Sequence, residues 1–428
     1  MLTLYLERNK ANWRHYRCLG RRIRRYAICG VGVGIAIFVI GTLSGCGAAA
    51  AHLRPLPPKS ESHPSPATVV AEMPRGEQGS WADIPWSKVG AGWILAEWTA
   101  TTPGTPDTNQ TTTPVDLFLV DPLVGRYLVT TLSSPTLLLR AWSGDGHRAL
   151  LYGNPNGTNG TMAVTEMNLE QGSSHQIALP TGAGAFTQPH GTALLWFSGL
   201  LRASPPTIQR FNFRGGLQLT FSDRFSNLGA AVGSAVYAPN GVELAIGGQR
   251  GVAIVYNNGQ VVKQVVIPGG INCSPVRWQH GLILVSCEMK SSLPRLWWVA
   301  ANGSTVTALT APPVSPDLGA LNAWQVGPTT VVQNEGGCGN LYLSTLGPVG
   351  TTKPIVVPGV SARDSVVALG VDGNQLALHI TQACGAGMAV AWFTPASNTT
   401  DIVLGPGLNG GNVLSAVLFG QSEYGWPP

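Results

Sequence analysis

Seven cysteines are the residues of this chain whose spacing bears most directly on chemistry. Cys18, Cys29 and Cys46 lie near the start; Cys273, Cys287, Cys338 and Cys384 lie far downstream. None of the downstream four stands in the paired Cys-x-x-Cys spacing usual for a thiolate zinc site. An even number in an exported chain favours disulfides instead. Three connectivities exist. Cys273 with Cys287 is favoured, because both flank one hairpin and could face each other across it. Cys338, between Gly337 and Gly339, and Cys384, between Ala383 and Gly385, fall at matching places in two successive repeats, where a bond would staple neighbours. Other chemistry is thinly signalled. The stretch Gly405-Pro-Gly-Leu-Asn-Gly410 spells a dinucleotide fingerprint, but Pro406 sits inside it and no helix follows. No Gly-x-Ser-x-Gly elbow occurs. His147, His190, His280 and His379 lack metal-ligand spacing, so neither cofactor nor metal is expected. Asp145, Asn240 and Asp372 each precede a glycine, where short polar side chains bond the local backbone and build turns. One mixed aromatic and charged group can be assembled: Arg277 and Trp278, with Asp317 and Trp324 on the next repeat. Trp and Arg favour binding hot spots, although Trp at the end of an inner strand also serves plain packing.

The first 45 residues carry the export signal that the disulfide reading requires. Arg14, Arg17, Arg21, Arg22, Arg24 and Arg25 precede an apolar run over 27–42, and small residues follow it. Basic, then apolar, then small is the anatomy of a secretory signal. The run is short beside the roughly 20 residues a span needs, and Gly30, Gly32, Gly34 and Gly41 interrupt it; an uncleaved anchor is the alternative. Leu43-Ser-Gly-Cys46 resembles the bacterial lipobox. That resemblance implies cleavage before Cys46 and lipidation of its thiol. The mature chain would then sit on the outer face of the cell membrane, or on the outer membrane of a two-membrane bacterium. Two or more acyl chains hold firmly where one holds only marginally.

Charge supports the division. The whole chain is +5, residues 1–45 carry eight Lys/Arg against one acid, and the remainder is therefore −2. The basic pI of 8.9 belongs to the leader, and no concentrated basic patch argues for nucleic acid. Charged residues make up 11% of the chain, well below the roughly 25% usual in soluble domains. With 54 Gly and 32 Pro, this is the composition of an all-β exported chain with many turns. Residues 46–80, rich in Pro, Ser and Ala, read as a flexible tether, and 81–428 as the folded domain.

A repeat organises that domain. An apolar strand, often ending in an aromatic, leads into a glycine turn and a second apolar strand. The clearest copies span 140–152 and 235–246; weaker ones span 186–196, 276–285, 321–332 and 366–378; the most degenerate spans 84–98. The turn glycines Gly90, Gly146, Gly191, Gly241, Gly281, Gly327 and Gly373 are 56, 45, 50, 40, 46 and 46 residues apart. The long first interval holds a Thr/Pro-rich insertion at 101–114. A second hairpin follows, clearest at 115–129, 251–267 and 295–309, with Asn-Gly or Gly-bearing turns. Two hairpins make four strands, and four strands per 40–50 residues is the signature of a β-propeller blade. Seven blades are expected, with six or eight also compatible. The apolar tail 413–419 is expected to pair with the first blade and close the ring.

At these turns Trp142-Ser-Gly-Asp-Gly146 and Tyr237-Ala-Pro-Asn-Gly241 resemble the Trp-Ser-Pro-Asp-Gly turn of TolB-like propeller repeats. A lipobox followed by such a propeller is similar to uncharacterised lipoproteins of high-GC Gram-positive bacteria. The resemblance implies a scaffold for protein contacts in the cell envelope and transfers no catalytic residue. Repeat architecture, lipobox and the lack of a catalytic constellation together lead to the expectation of a non-catalytic, membrane-tethered monomer that binds an envelope protein or glycan. The alternative is an extracellular hydrolase or lyase acting on a carbohydrate or ester.

Overall fold

The computed structural model describes residues 74–101, 113–134, 137–153, 161–199, 206–290, 293–313, 317–336, 340–382 and 387–420. The leader, Cys46, most of the tether, Cys338 and Cys384 lie outside them. Among the described residues no helix is long and apolar enough to cross a membrane.

The expected first hairpins form, because each glycine turn sits between β-branched or aromatic runs that pair in register. Leu138–Trp142 pairs with Arg148–Tyr152, Gly182–Phe186 with Leu194–Ser198, and Gly229–Tyr237 with Glu243–Gly248. Ile271–Gln279 pairs with Leu282–Glu288, Ala320–Val326 with Thr329–Glu335, and Ser365–Asp372 with Gln375–Thr381. Gly146, Gly191, Gly241, Gly281, Gly327 and Gly373 all take positive φ, which a residue with a Cβ adopts only at a cost. Each pair continues into a third and fourth antiparallel strand. First strands of successive units touch one another, as Leu138–Trp142 touches Gly182–Phe186 and Ser365–Asp372 touches Asn412–Leu418. The sheets therefore stand radially around an axis lined by first strands, and the fold is an all-β propeller.

The degenerate first copy has a structural explanation. Its would-be first strand is replaced by two short 3-10 turns, Trp81–Asp83 and Trp86–Lys88. The axial position is filled from the other end of the chain, where Asn412–Leu418 pairs antiparallel with Ile94–Thr99. The end of the stretch assigned to the tether on composition joins this sheet. Gln78–Gly79 pairs with its outer strand and the Gly76 N–H donates to the Val124 carbonyl at 2.9 Å. The folded region therefore starts earlier than residue 81.

The expected division into separate four-stranded blades is met only in part. Four sheets have four strands and one has five, but the sixth has nine. The nine-stranded sheet contains two four-strand runs, starting at Gly229 and Ile271, joined by the single pair Gly248↔Cys273. Glycine is the reason. A Cβ at Gly247 would stand 2.4 Å from the Cys273 carbonyl oxygen, so only a bare backbone lets the next run approach so closely.

Apolar clusters fill the space between successive runs. One joins Leu95 and Leu117 to Leu139 and Trp142; another joins Ile94 and Val413 to Ala377 and Trp392, so the packing returns to its starting sheet. Polar side chains on second strands add direct bonds to the next run's first strand. The Leu139 N–H donates to Glu97 Oε1 at 2.7 Å, and the Tyr152 hydroxyl both donates to and accepts from the Gly184 backbone. Ser286 donates to the Ala320 carbonyl; Gln333 spans the Val366 carbonyl and the Ala368 N–H; His379 Nε2 reaches the Val413 carbonyl. Leu139, Ala320, Ala368 and Val413 all border a register shift in their own strand. A bulge lifts a backbone group out of its ladder, and a buried backbone group must find another partner.

Candidate functional site

The repeat supplies a ruler on which an unusual residue stands out. One register position on the first strand lies close to the hairpin turn and the axis. It pairs Val417 with Leu95, Ala141 with Leu150, Ala185 with Leu195, Val236 with Ala245 and Gly370 with Ala377. These five residues are small or medium-sized. In the two remaining runs the same position holds Arg277, opposite Leu284, and Trp324, opposite Val331. The two are on adjacent first strands, and the Arg277 guanidinium carbon lies 4.8 Å from the Trp324 ring centroid. Stacking of this kind orients the guanidinium and leaves its in-plane N–H groups pointing sideways.

Asn322 completes the corner from two residues upstream of Trp324, on the same face of the strand. Its Oδ1 accepts from the Ala323 N–H at 2.9 Å and, loosely, from Arg277 Nη2 at 3.4 Å. Asn322 and Trp324 are 2% and 3% exposed, so their polar atoms are out of water, while Arg277 is half-buried. Three donors at this corner have no acceptor: Arg277 Nε, Asn322 Nδ2 and Trp324 Nε1. The indole is free for a local reason. In the preceding repeats an aromatic occupies the next register position, and Trp142 there donates from Nε1 to the Gly146 carbonyl of its own turn at 2.9 Å. In this run that position is Gln325, which caps the Gly327 carbonyl at 2.8 Å through Nε2. Trp324 sits one residue earlier, has no turn to cap, and packs its ring against Val331, Val366 and Leu378 in the apolar cluster with the next sheet. Desolvation lowers the Arg277 guanidinium to about 10, and among the described residues no carboxylate pairs with it.

Of the four residues expected to cluster, the structure brings Arg277 and Trp324 together and leaves two elsewhere. Trp278 is one position beyond Arg277 and faces the opposite way, packed with Ile283, Val285 and Trp297 between the two runs of the nine-stranded sheet. It is a packing aromatic in the register of Trp142, Phe186 and Tyr237. Asp317 precedes the far end of Ala320–Val326, about 20 Å along the strand from Trp324 at about 3.3 Å per residue. Its Oδ1 accepts from the Gly319 N–H at 2.9 Å. Desolvation, reinforced by the Asp317 charge and hydrogen bond, pushes the Tyr342 phenol up. Sequence reasoning missed Asn322; its signal was the two-residue spacing to Trp324, which puts both on one face.

Cys273 and Cys287 are disulfide-bonded across their hairpin, with Cα atoms 4.1 Å apart. Asp145 and Asn240 are turn builders, accepting from the His147 and Val242 N–H groups at 3.0 Å each. Among the described residues no group of three or more His, Cys, Asp and Glu could hold a metal. A second polar cluster joins two sheets. Glu166 is buried between Arg148 Nε at 3.2 Å and His175 Nδ1 at 3.0 Å, and His175 Nε2 meets the Phe213 carbonyl at 2.7 Å. Desolvation raises the Glu166 carboxyl, and the nearby His175 and Arg148 oppose it.

No protein-family model matches the chain, and no curated protein matches it in sequence. Solved structures resemble it in fold. TolB from Acinetobacter baumannii is 14% identical over 79% of this chain and 67% of its own, with a TM-score of 0.43. A puromycin-hydrolysing peptidase from Mycobacterium tuberculosis is 15% identical over 78% and 57%, with a TM-score of 0.42. Oligopeptidase B from Leishmania major is 9% identical over 74% and 50%, with a TM-score of 0.44. The chain spans only about half the length of these two peptidases. At such identities the likeness concerns the fold and says nothing of activity; the chain is an all-β propeller.

Proposed function

We propose that this chain is a seven-bladed, TolB-like propeller lipoprotein, held outside the cytoplasm by a lipidated Cys46, that binds an envelope protein or glycan without transforming it. The seven-blade reading divides the nine-stranded sheet at its single linking pair, Gly248↔Cys273. A separate apolar cluster between its two runs supports that division, as Val252 and Ile254 pack on Ile283 and Val285. The observation that carries the binding role is the paired departure from the repeat at Arg277 and Trp324. Guanidinium, amide and indole N–H groups recognise and orient acceptors, and none of them exchanges a proton readily near neutral pH. Pull-down with the full-length protein from detergent-solubilised membranes tests the role. An envelope partner retained by wild type and lost with Arg277→Met supports it. Turnover of a sugar or ester with no retained partner overturns it.

A hydrolase or lyase is the second reading, and the observation favouring it is Glu166, a buried carboxyl with a raised pKa beside His175. Groups so perturbed recur at catalytic sites. On that reading Glu166→Gln abolishes turnover of a carbohydrate or ester and spares partner retention.

A further inference from the structure

We infer that Arg277, Asn322 and Trp324 form a seat for a single carboxylate group, carried on an acidic sugar or on an acidic amino acid. The inference rests on reading this corner as the binding site and adds the chemistry of what it takes. Arg277 Nε, Asn322 Nδ2 and Trp324 Nε1 are all donors, and all are shielded from solvent without an acceptor. Leaving a buried donor unpaired costs about 1–3 kcal/mol, and native structures hold few of them. Three on two neighbouring strands, one of them from an arginine with no acid partner, mark a place built for an acceptor from outside. The acceptor carries negative charge, because a partly desolvated guanidinium without an acid partner is the group that gains most from one. A carboxylate matches the planar fork of the guanidinium. Sequence alone does not place Arg277 and Trp324 at one register position; the repeat does, and it shows five other runs keeping that position small or medium-sized.

The test is thermal unfolding of the detergent-solubilised full-length protein with D-glucuronate, N-acetyl-L-glutamate or acetate, against D-glucose and equimolar sodium chloride. At tenfold over a millimolar Kd the expected rise in Tm is about 2 °C for at least one carboxylate and none for glucose. Glucuronate acting alone identifies a sugar acid, and N-acetylglutamate acting alone an acidic residue. Arg277→Met keeps the side-chain volume and abolishes the rise; Trp324→Phe keeps the ring and lowers it. Without ligand, Arg277→Met leaves Tm unchanged or higher, because it removes a desolvated charge. A rise that survives Arg277→Met, no rise with any carboxylate in wild type, or an Arg277→Met protein less stable than wild type overturns the inference. A partner found by pull-down stands in each of those cases, so the scaffold role and the carboxylate seat fail separately.

Discussion

His379 is held neutral by burial, and the neutral ring is the form that suits its place. It is 1% exposed, desolvation lowers it to about 4, and Nε2–H donates to the Val413 carbonyl on the closing strand. The folded value lies below the unfolded reference of 6.5, so the unfolded chain takes up a proton first on acidification. The stability contributed by the neutral ring is complete above about pH 6.5 and falls as pH drops towards 4. At about 1.4 kcal/mol per pKa unit the loss reaches about 3 kcal/mol. Urea unfolding of wild type and His379→Gln at pH 7.5 and pH 4.5 checks it. Glutamine keeps a donor for Val413, as Gln333 does for Val366 in the preceding sheet. The variant should therefore lose about 2.5 kcal/mol less than wild type between the two pH values, since the full difference is reached only below pH 4; equal losses would refute the assignment.

Among the described elements, the hairpin at 271–288 carries a covalent reinforcement. Its disulfide joins residues 14 apart in sequence, and closing a loop of about that size stabilises by about 3 kcal/mol in the chain-entropy account. The double variant Cys273→Ala/Cys287→Ala should lower the unfolding free energy by that amount and spare the sheet content seen by far-UV circular dichroism. Hairpins were the most legible feature of the sequence. A turn glycine, an aromatic before it and a β-branched run after it are all local signals, and six of the seven copies pair as expected. The seventh was weak because Ile94–Thr99 takes its axial neighbour from the distant segment Asn412–Leu418. Half of the Arg277 group was legible for the same reason. Residue type drew attention to Arg277 and Trp324, but only the register within each hairpin puts them at matching positions of neighbouring first strands. Asp317 was grouped with them by sequence proximity, and the strand carries it to the opposite end.

For the whole molecule, the strand at 412–418 holds the ring shut. It lies between Ile94–Thr99 and the axis, its Ser415 hydroxyl lies 3.1 Å from both Glu97 Oε2 and the Leu139 carbonyl and shares its one proton between them, and Val413 receives the His379 bond. The exposed Arg75–Asp401 pair adds a second link between the two ends of the described chain, although exposed pairs contribute little, roughly 0–1 kcal/mol. Deleting residues 411–428 should therefore abolish the single cooperative unfolding transition and expose 94–99 to limited proteolysis, whereas Asp401→Ala should shift Tm by less than about 1 °C. A truncated protein that unfolds in one transition at the wild-type temperature would show that closure does not depend on this strand.

The innermost strand of the first sheet is separated in sequence from its partner by almost the whole propeller, so the first sheet is laid down long before it can be completed. Ile94–Thr99 must wait through more than three hundred residues of synthesis with an unpaired edge. Completion of the wheel therefore comes after the intervening sheets have been made, and until then the open edge of Ile94–Thr99 is a surface on which another extended chain could pair.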